Sequence, residues 1–249
     1  MKILLPFSLS LIGLWTSPLR ADTRLRLEGG LASFARNDAR IPGNSGTLVD
    51  IAAWTEGSVG AQRVYLGHTW SERHEVRVLW APLSATAKGR PDTTLSFQGQ
   101  NFSAAQDTEA FYKFNSYRVT YAYHFENSGP WHWALGFTAK IRDAEIRLTQ
   151  GALSASKKNV GFVPLLNLQA RRDFGSSTAL VLDVDGMAAP QGRAIDAALM
   201  LQHTFLELGS AGSYSILAGY RSIEGGADND TVYNFAWINQ AVIALEGSF

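Results

Sequence analysis

Hydrophobic and polar residues alternate with a period of two along most of this chain. The longest clean stretch runs from Asn115 to Leu148. Tyr117, Val119, Tyr121, Tyr123 and Phe125 form one apolar set, with Ser116, Arg118, Thr120, Ala122 and His124 between them. After Glu126-Asn127-Ser128-Gly129-Pro130 comes a second set: Trp131, Trp133, Leu135, Phe137, Ala139 and Ile141. His132, Gly136, Thr138, Lys140 and Arg142 lie between these. Successive side chains of a strand point to opposite faces, so each half predicts a strand with one apolar and one polar face. The alternation outlasts what a soluble sheet needs, and the aromatics gather at the turn. A hairpin with its apolar face in lipid and its polar face in a barrel lumen has this pattern.

Taken in order, the same reading predicts strands over Arg24–Ala35, Arg63–Trp70 and His74–Leu83. Leu25, Leu27 and Leu31 oppose Arg26, Glu28 and Gly30 in the first; Val76, Val78 and Trp80 oppose Arg77 in the third. Leu48–Trp54 reads as a helical turn or a strand extension. Ser84–Thr108 is expected to form a long outer loop, with Thr94–Phe102 as a protruding ribbon. Beyond the central hairpin, strands are expected at Val160–Arg171, Thr178–Asp185, Ile195–Phe205, Tyr214–Ile223 and Tyr233–Phe249. Residues 150–158, GMAAPQG and EGGADND are expected as outer loops, and 126–130, 173–177 and 209–212 as short periplasmic turns. The fold class is all-β: a closed antiparallel transmembrane β-barrel of ten strands, with eight and twelve as the alternative counts. An even number puts both termini on one side.

The first 21 residues carry one lysine, an apolar run from Ile3 to Trp15 and a small residue at Ala21. That is the layout of a cleaved secretory signal peptide, and the run is too short to span as a helix. The expected domains are therefore residues 1–21, a signal peptide, and 22–249, the barrel. Cleavage would remove Lys2 and Arg20, taking 22 basic residues to 20 against 22 acidic ones. This balance leaves no nucleic-acid footprint. The absence of cysteine excludes a disulfide scaffold and thiolate metal sites.

The chain ends on Phe249, with Ala241, Ile243 and Leu245 on the same face and Phe235 and Trp237 further up. A terminal aromatic after an alternating strand resembles the assembly signal of Gram-negative outer-membrane β-barrel proteins. Joined to the export segment, the missing cysteine and ten alternating segments, the resemblance covers about residues 22 to 249. It implies an outer-membrane location, contact with outer-membrane lipid, folding by the outer-membrane assembly machinery with Phe249 as the signal, and a monomer.

The inward charges carry the candidate chemistry. Pairing strands through their short turns sets Arg118 beside Thr138, Lys140 beside Asn167, and Asn167 beside Asp183, with Asp196 next round the wall. A basic wall of Arg118, Lys140 and Arg142 then faces an acidic one of Asp183, Asp185 and Asp196. A narrow barrel fills its interior with side chains, and charges there need partners. The expectation is a structural network closing the lumen; a small polar binding site or ion path is the other reading. After Arg142 the apolar residues change parity, which a β-bulge near Arg142 or Asp143 would explain. Asp143, Glu145 and Arg147 either line the lumen or rise into water. Barrel enzymes of this compartment need histidine beside serine or acid in a fixed arrangement. Of the five histidines only His68 falls where it could be lumenal; His74, His124 and His132 lie by turns, and His203 faces outward. No cofactor or metal is expected: Asp228-Asn229-Asp230 lacks the later glutamate of a calcium loop. The expected function is a non-enzymatic, porin-like outer-membrane barrel acting through its outer loops or in envelope structure. The alternative is a small channel or carrier, and a lipid-modifying enzyme comes last.

Overall fold

The computed structural model describes residues 22–126, 129–190 and 192–249. The expected signal peptide lies outside the described residues, as do Asn127, Ser128 and Gln191. Among the described residues fourteen strands follow one another. They are β1 (Asp22–Arg40), β2 (Val49–Asp50), β3 (Val59–Trp70), β4 (His74–Ala81) and β5 (Ser84–Gly89). Next come β6 (Leu95–Phe97), β7 (Gln100–Phe102), β8 (Thr108–His124), β9 (Trp131–Gln150) and β10 (Leu153–Asp173). The last are β11 (Thr178–Ala189), β12 (Gly192–Glu207), β13 (Ser213–Asn229) and β14 (Val232–Ser248).

Neighbours pair antiparallel around a ring that closes where β14 meets β1. β4 and β5 both pair with β8 and form one stave, broken at Pro82 and Leu83. The ring therefore has ten staves, as the alternation predicted. Outward parity carries the exposed Leu27, Leu31, Phe137, Phe162, Ile243 and Leu245. The register sets Leu27 beside Leu245, Tyr121 beside Phe137 and Phe137 beside Leu166. So continuous an apolar belt far exceeds what a soluble monomer leaves in water.

Four expected outer loops contain strand, and the first residues of Ser84–Thr108 form β5 of the ring. Residues 153–158 belong to β10, and β9 folds onto it through Gly151 and Ala152 alone. β11–β12 and β13–β14 likewise run to Ala189↔Gly192 and Asn229↔Val232. Polar residues above a membrane can still form a ladder, so polarity there does not mean loop. A barrel strand needs about 9–11 residues to cross a bilayer, and β9 and β10 have 20 and 21. They project as a ribbon. β9 keeps its register without a break, so the expected bulge near Arg142 is absent; register shifts occur in β1 and β12 instead.

Ile146 and Leu148 are buried on the same inward parity as Lys140. The inner wall itself changes from charged to apolar toward the end away from the termini. That end is filled from within. β2 lies on β1, and the following segment to Trp54 is turn rather than helix. The β6–β7 hairpin, expected to protrude, folds inward: Phe97 and Phe102 are both 0% exposed. They pack with Ile51, Tyr112, Leu148 and Ile238. Small wall residues, Ala32, Ala39, Ala110 and Ala236, leave the room. Gly89 serves the same end, since a Cβ there would overlap the Trp54 indole.

Phe249 sits at the closing seam. Its amide donates to the Thr23 carbonyl at 2.9 Å and its carbonyl accepts from the Thr23 amide at 3.0 Å. Its ring meets Tyr214 edge-on at 5.9 Å. Deleting it removes two backbone hydrogen bonds, each about 0.5–1.5 kcal/mol net. The deletion should slow appearance of the heat-modifiable folded form on gels; an unchanged amount and rate would remove the assembly role.

Candidate functional site: the lumen

Period-two geometry aims Asp183 and Asp185 of β11 at the same interior, where Asp196 of β12 lies directly opposite Asp185. Like charges so placed repel. Arg118 of β8 resolves this by reaching Asp185 at 2.6 Å with one terminal nitrogen and Asp196 at 2.5 Å with the other. Asp196 also accepts from Arg63 at 2.9 Å and Arg221 at 2.6 Å. Arg221 holds Glu28 at 3.0 Å, and Arg77 holds Asp183 at 2.8 Å. Asn167 donates to both Asp183, at 3.1 Å, and Asp185, at 2.9 Å; Thr138 donates to Asp185 at 2.6 Å. The Tyr65 hydroxyl accepts from Arg63 at 2.7 Å and Arg221 at 2.9 Å. The Arg63 and Arg77 guanidinium groups also lie over its ring, at 5.5 Å and 5.6 Å from the centroid.

This layer thus sets four arginines, Arg63, Arg77, Arg118 and Arg221, against four carboxylates, Glu28, Asp183, Asp185 and Asp196. The space left among them is about 10 Å³, no more than one water requires. Nearer the termini a second tier repeats the scheme. Arg26 meets Glu246 at 2.6 Å, Arg24 meets Glu75 at 3.2 Å, and Arg171 bonds Gln202 at 2.6 Å.

Of the six predicted network residues, the structure brings Arg118, Asp185 and Asp196 into direct contact and links Asp183 to Asp185 through Asn167. Lys140 and Arg142 do not join them. Lys140 is 3% exposed, but its ammonium lies 4.7 Å from the Phe114 ring centroid, and none of the described carboxylates lies within ion-pair distance. Arg142 bonds Asn159 at 2.5 Å near the rim. The cause is register. The tight turn at 151–152 sets Lys140 beside Val163 and Asn167 beside Gly136, four residues from the expected match. Across β8, Lys140 faces Arg118, and Thr138 faces Thr120. Asp143 and Glu145 lie on the outer face, beside Lys113 and Lys158. Arg63, Arg77, Arg221, Glu28 and Tyr65 were not among the predicted partners. Their parity was legible; ranking candidates by local charge density favoured the Lys140–Arg147 run over charges scattered one per strand.

The histidines sit at the terminal end. His68 faces outward, bonding Thr23 and stacking near Trp70, which corrects its lumenal reading. His74 bonds Tyr121, His124 bonds Glu75, His132 bonds Asp173 and His203 bonds Thr178. Among the described residues no group of three or more His, Asp or Glu side chains is placed to hold a metal ion.

No protein-family model and no curated protein matches the chain. Among solved structures it is similar to the outer membrane protease OmpT from Escherichia coli, at TM-score 0.49 and 9% identity over 92% of this chain and 97% of that one. The attachment invasion locus protein Ail of Yersinia pestis gives TM-score 0.36 and 6% identity, over 91% and 98%. The Pseudomonas putida toluene transporter TodX gives 0.36 and 7%, over 90% and 89%. At this distance none of them lends its activity to this chain.

Proposed function

We propose that this protein is an integral outer-membrane β-barrel without enzymatic activity, closed through its lumen and acting at its outer end or in envelope structure. One observation carries the reading: a charge-balanced layer spans the lumen, and the gaps at its side chains are water-sized, about 10 Å³ among them and about 20 Å³ beside Arg63 and Arg118. Ten staves place both termini on one side, taken as the periplasmic one, and the apolar belt suits lipid. The capped end then faces outward, with β9–β10 projecting above the membrane. The channel alternative must pass both the charge layer and the apolar cap. Refolded protein in planar bilayers should give no stable stepwise current, and expressed protein should fractionate with outer membranes. Stable open-channel currents would replace this reading with the channel.

A further inference from the structure

The barrel wall has a notch. β10 and β11 pair only from Leu166↔Gly186 to Asp173↔Ala179. Above that point β10 continues, paired with β9 alone, while β11 ends at Ala189 and turns into β12. Val163, Pro164 and Leu165 have no ladder partner on the β11 side among the described residues. Proline fits there because it has no amide hydrogen to offer a neighbour. Just above, Val160 and Phe162 face outward at 70% and 65% exposed. An edge flanked by such residues lies in lipid, where unpaired backbone persists only if it lines a cavity.

A cavity is there. It measures about 330 Å³ and passes from Phe162 and Pro164 on the outside, past Met187, to Phe114, Lys140 and Arg142 within. Small-molecule sites begin at about this size. Among the described residues its lining contains no carboxylate. Arg193 on the rim is held by Glu224. Arg142 has a buried Nε without a hydrogen-bond partner. Lys140, at the inner end, is buried opposite Arg118 and has no counter-charge in ion-pair reach among the described residues. A buried cation beside another cation is unfavourable unless something compensates it.

We propose that this notch and cavity bind a long-chain carboxylate drawn sideways from the surrounding lipid, with its head on Lys140 and Arg142 and its chain passing out between β10 and β11. The unmatched charge at the inner end calls for a monoanion, and the apolar mouth open to lipid calls for an alkyl tail. The inference rests on the barrel lying in the membrane, as proposed above.

The test uses protein refolded into vesicles of zwitterionic phospholipid and titrated with carboxyl-labelled dodecanoate, followed by NMR against empty vesicles. A bound carboxyl resonance is expected, with dodecanol competing about tenfold more weakly or worse, since it lacks the charge. Lys140→Met should weaken binding by about tenfold or more, without lowering the unfolding midpoint, because it removes an uncompensated buried cation. Ala189→Trp, at the rim, should fill the notch and abolish the bound signal. No bound resonance in folded wild type, equal competition by dodecanol, or wild-type binding by both variants would overturn the proposal. Each of these outcomes would leave the closed-barrel reading standing, since that reading is decided by conductance.

Discussion

Replacing Asp196 by asparagine should destabilise this barrel more than any other single change to its charges. Asp196 compensates Arg63, Arg118 and Arg221 together. Asparagine keeps the shape and removes the charge, leaving three guanidinium groups to share what remains of the acidic side. Breaking a buried ion pair from one side costs about 3–5 kcal/mol, and here one carboxylate serves three partners. The expected result is a large fall in the urea midpoint of vesicle-embedded protein, read by heat-modifiability. Arg63→Met in the same background should recover part of the loss, because Asp196, at 2.9 Å, is the nearest carboxylate to Arg63 and Glu28 lies 3.7 Å away. The control is Asp107→Asn. Asp107 is exposed and hydrogen-bonded by Arg90, which holds its carboxyl below the usual range. Exposed pairs contribute little, so its midpoint should not move. Equal effects from Asp107 and Asp196 would mean that water fills the lumen and screens the layer.

Truncating Phe97 and Phe102 to alanine should open the far end without unfolding the ring. Both rings are fully buried, 6.5 Å apart at their centroids. Each Phe→Ala change in a core costs about 3–5 kcal/mol. The hairpin that carries them pairs only with itself and is joined to its surroundings by few backbone bonds, such as Gln98 to Ile41 at 2.8 Å and Thr47 to Ser96 at 2.8 Å. The ring is a separate continuous ladder, so the loss should fall on the cap as local opening. Protease added outside should then cut within residues 90–107 of the double variant and spare the wild type, while the barrel stays folded on gels. Loss of the folded barrel itself would show that cap and ring form one cooperative unit. The double variant should still conduct little, since the charge layer closes the lumen below.

Alternation, with the rule that such barrels have an even number of strands, pointed to a ten-stave barrel and to which side of nearly every strand faces out. Parity is a local property, fixed by backbone pleat. Tyr117 to Phe125 and Trp131 to Ile141 therefore fall on the side the sequence assigns them. Arg118, Asp183, Asp185 and Asp196 were legible for the same reason.

Register was not legible, because it depends on where each turn closes. Gly151 and Ala152 make a two-residue turn inside a polar stretch that reads equally well as loop, and this choice moves Lys140 away from Asn167 and Asp183. The change of parity at Ile146 and Leu148 has the same character. A bulge and an apolar plug leave the same trace in sequence, and only the inward fold of Phe97 and Phe102 separates them. The convergence on Asp196 of arginines from β3, β8 and β13 was also beyond the sequence. So was the notch beside Pro164. The first arises from ring closure, which brings together strands far apart in the chain, and the second from β11 turning at Ala189 while β10 runs on with β9.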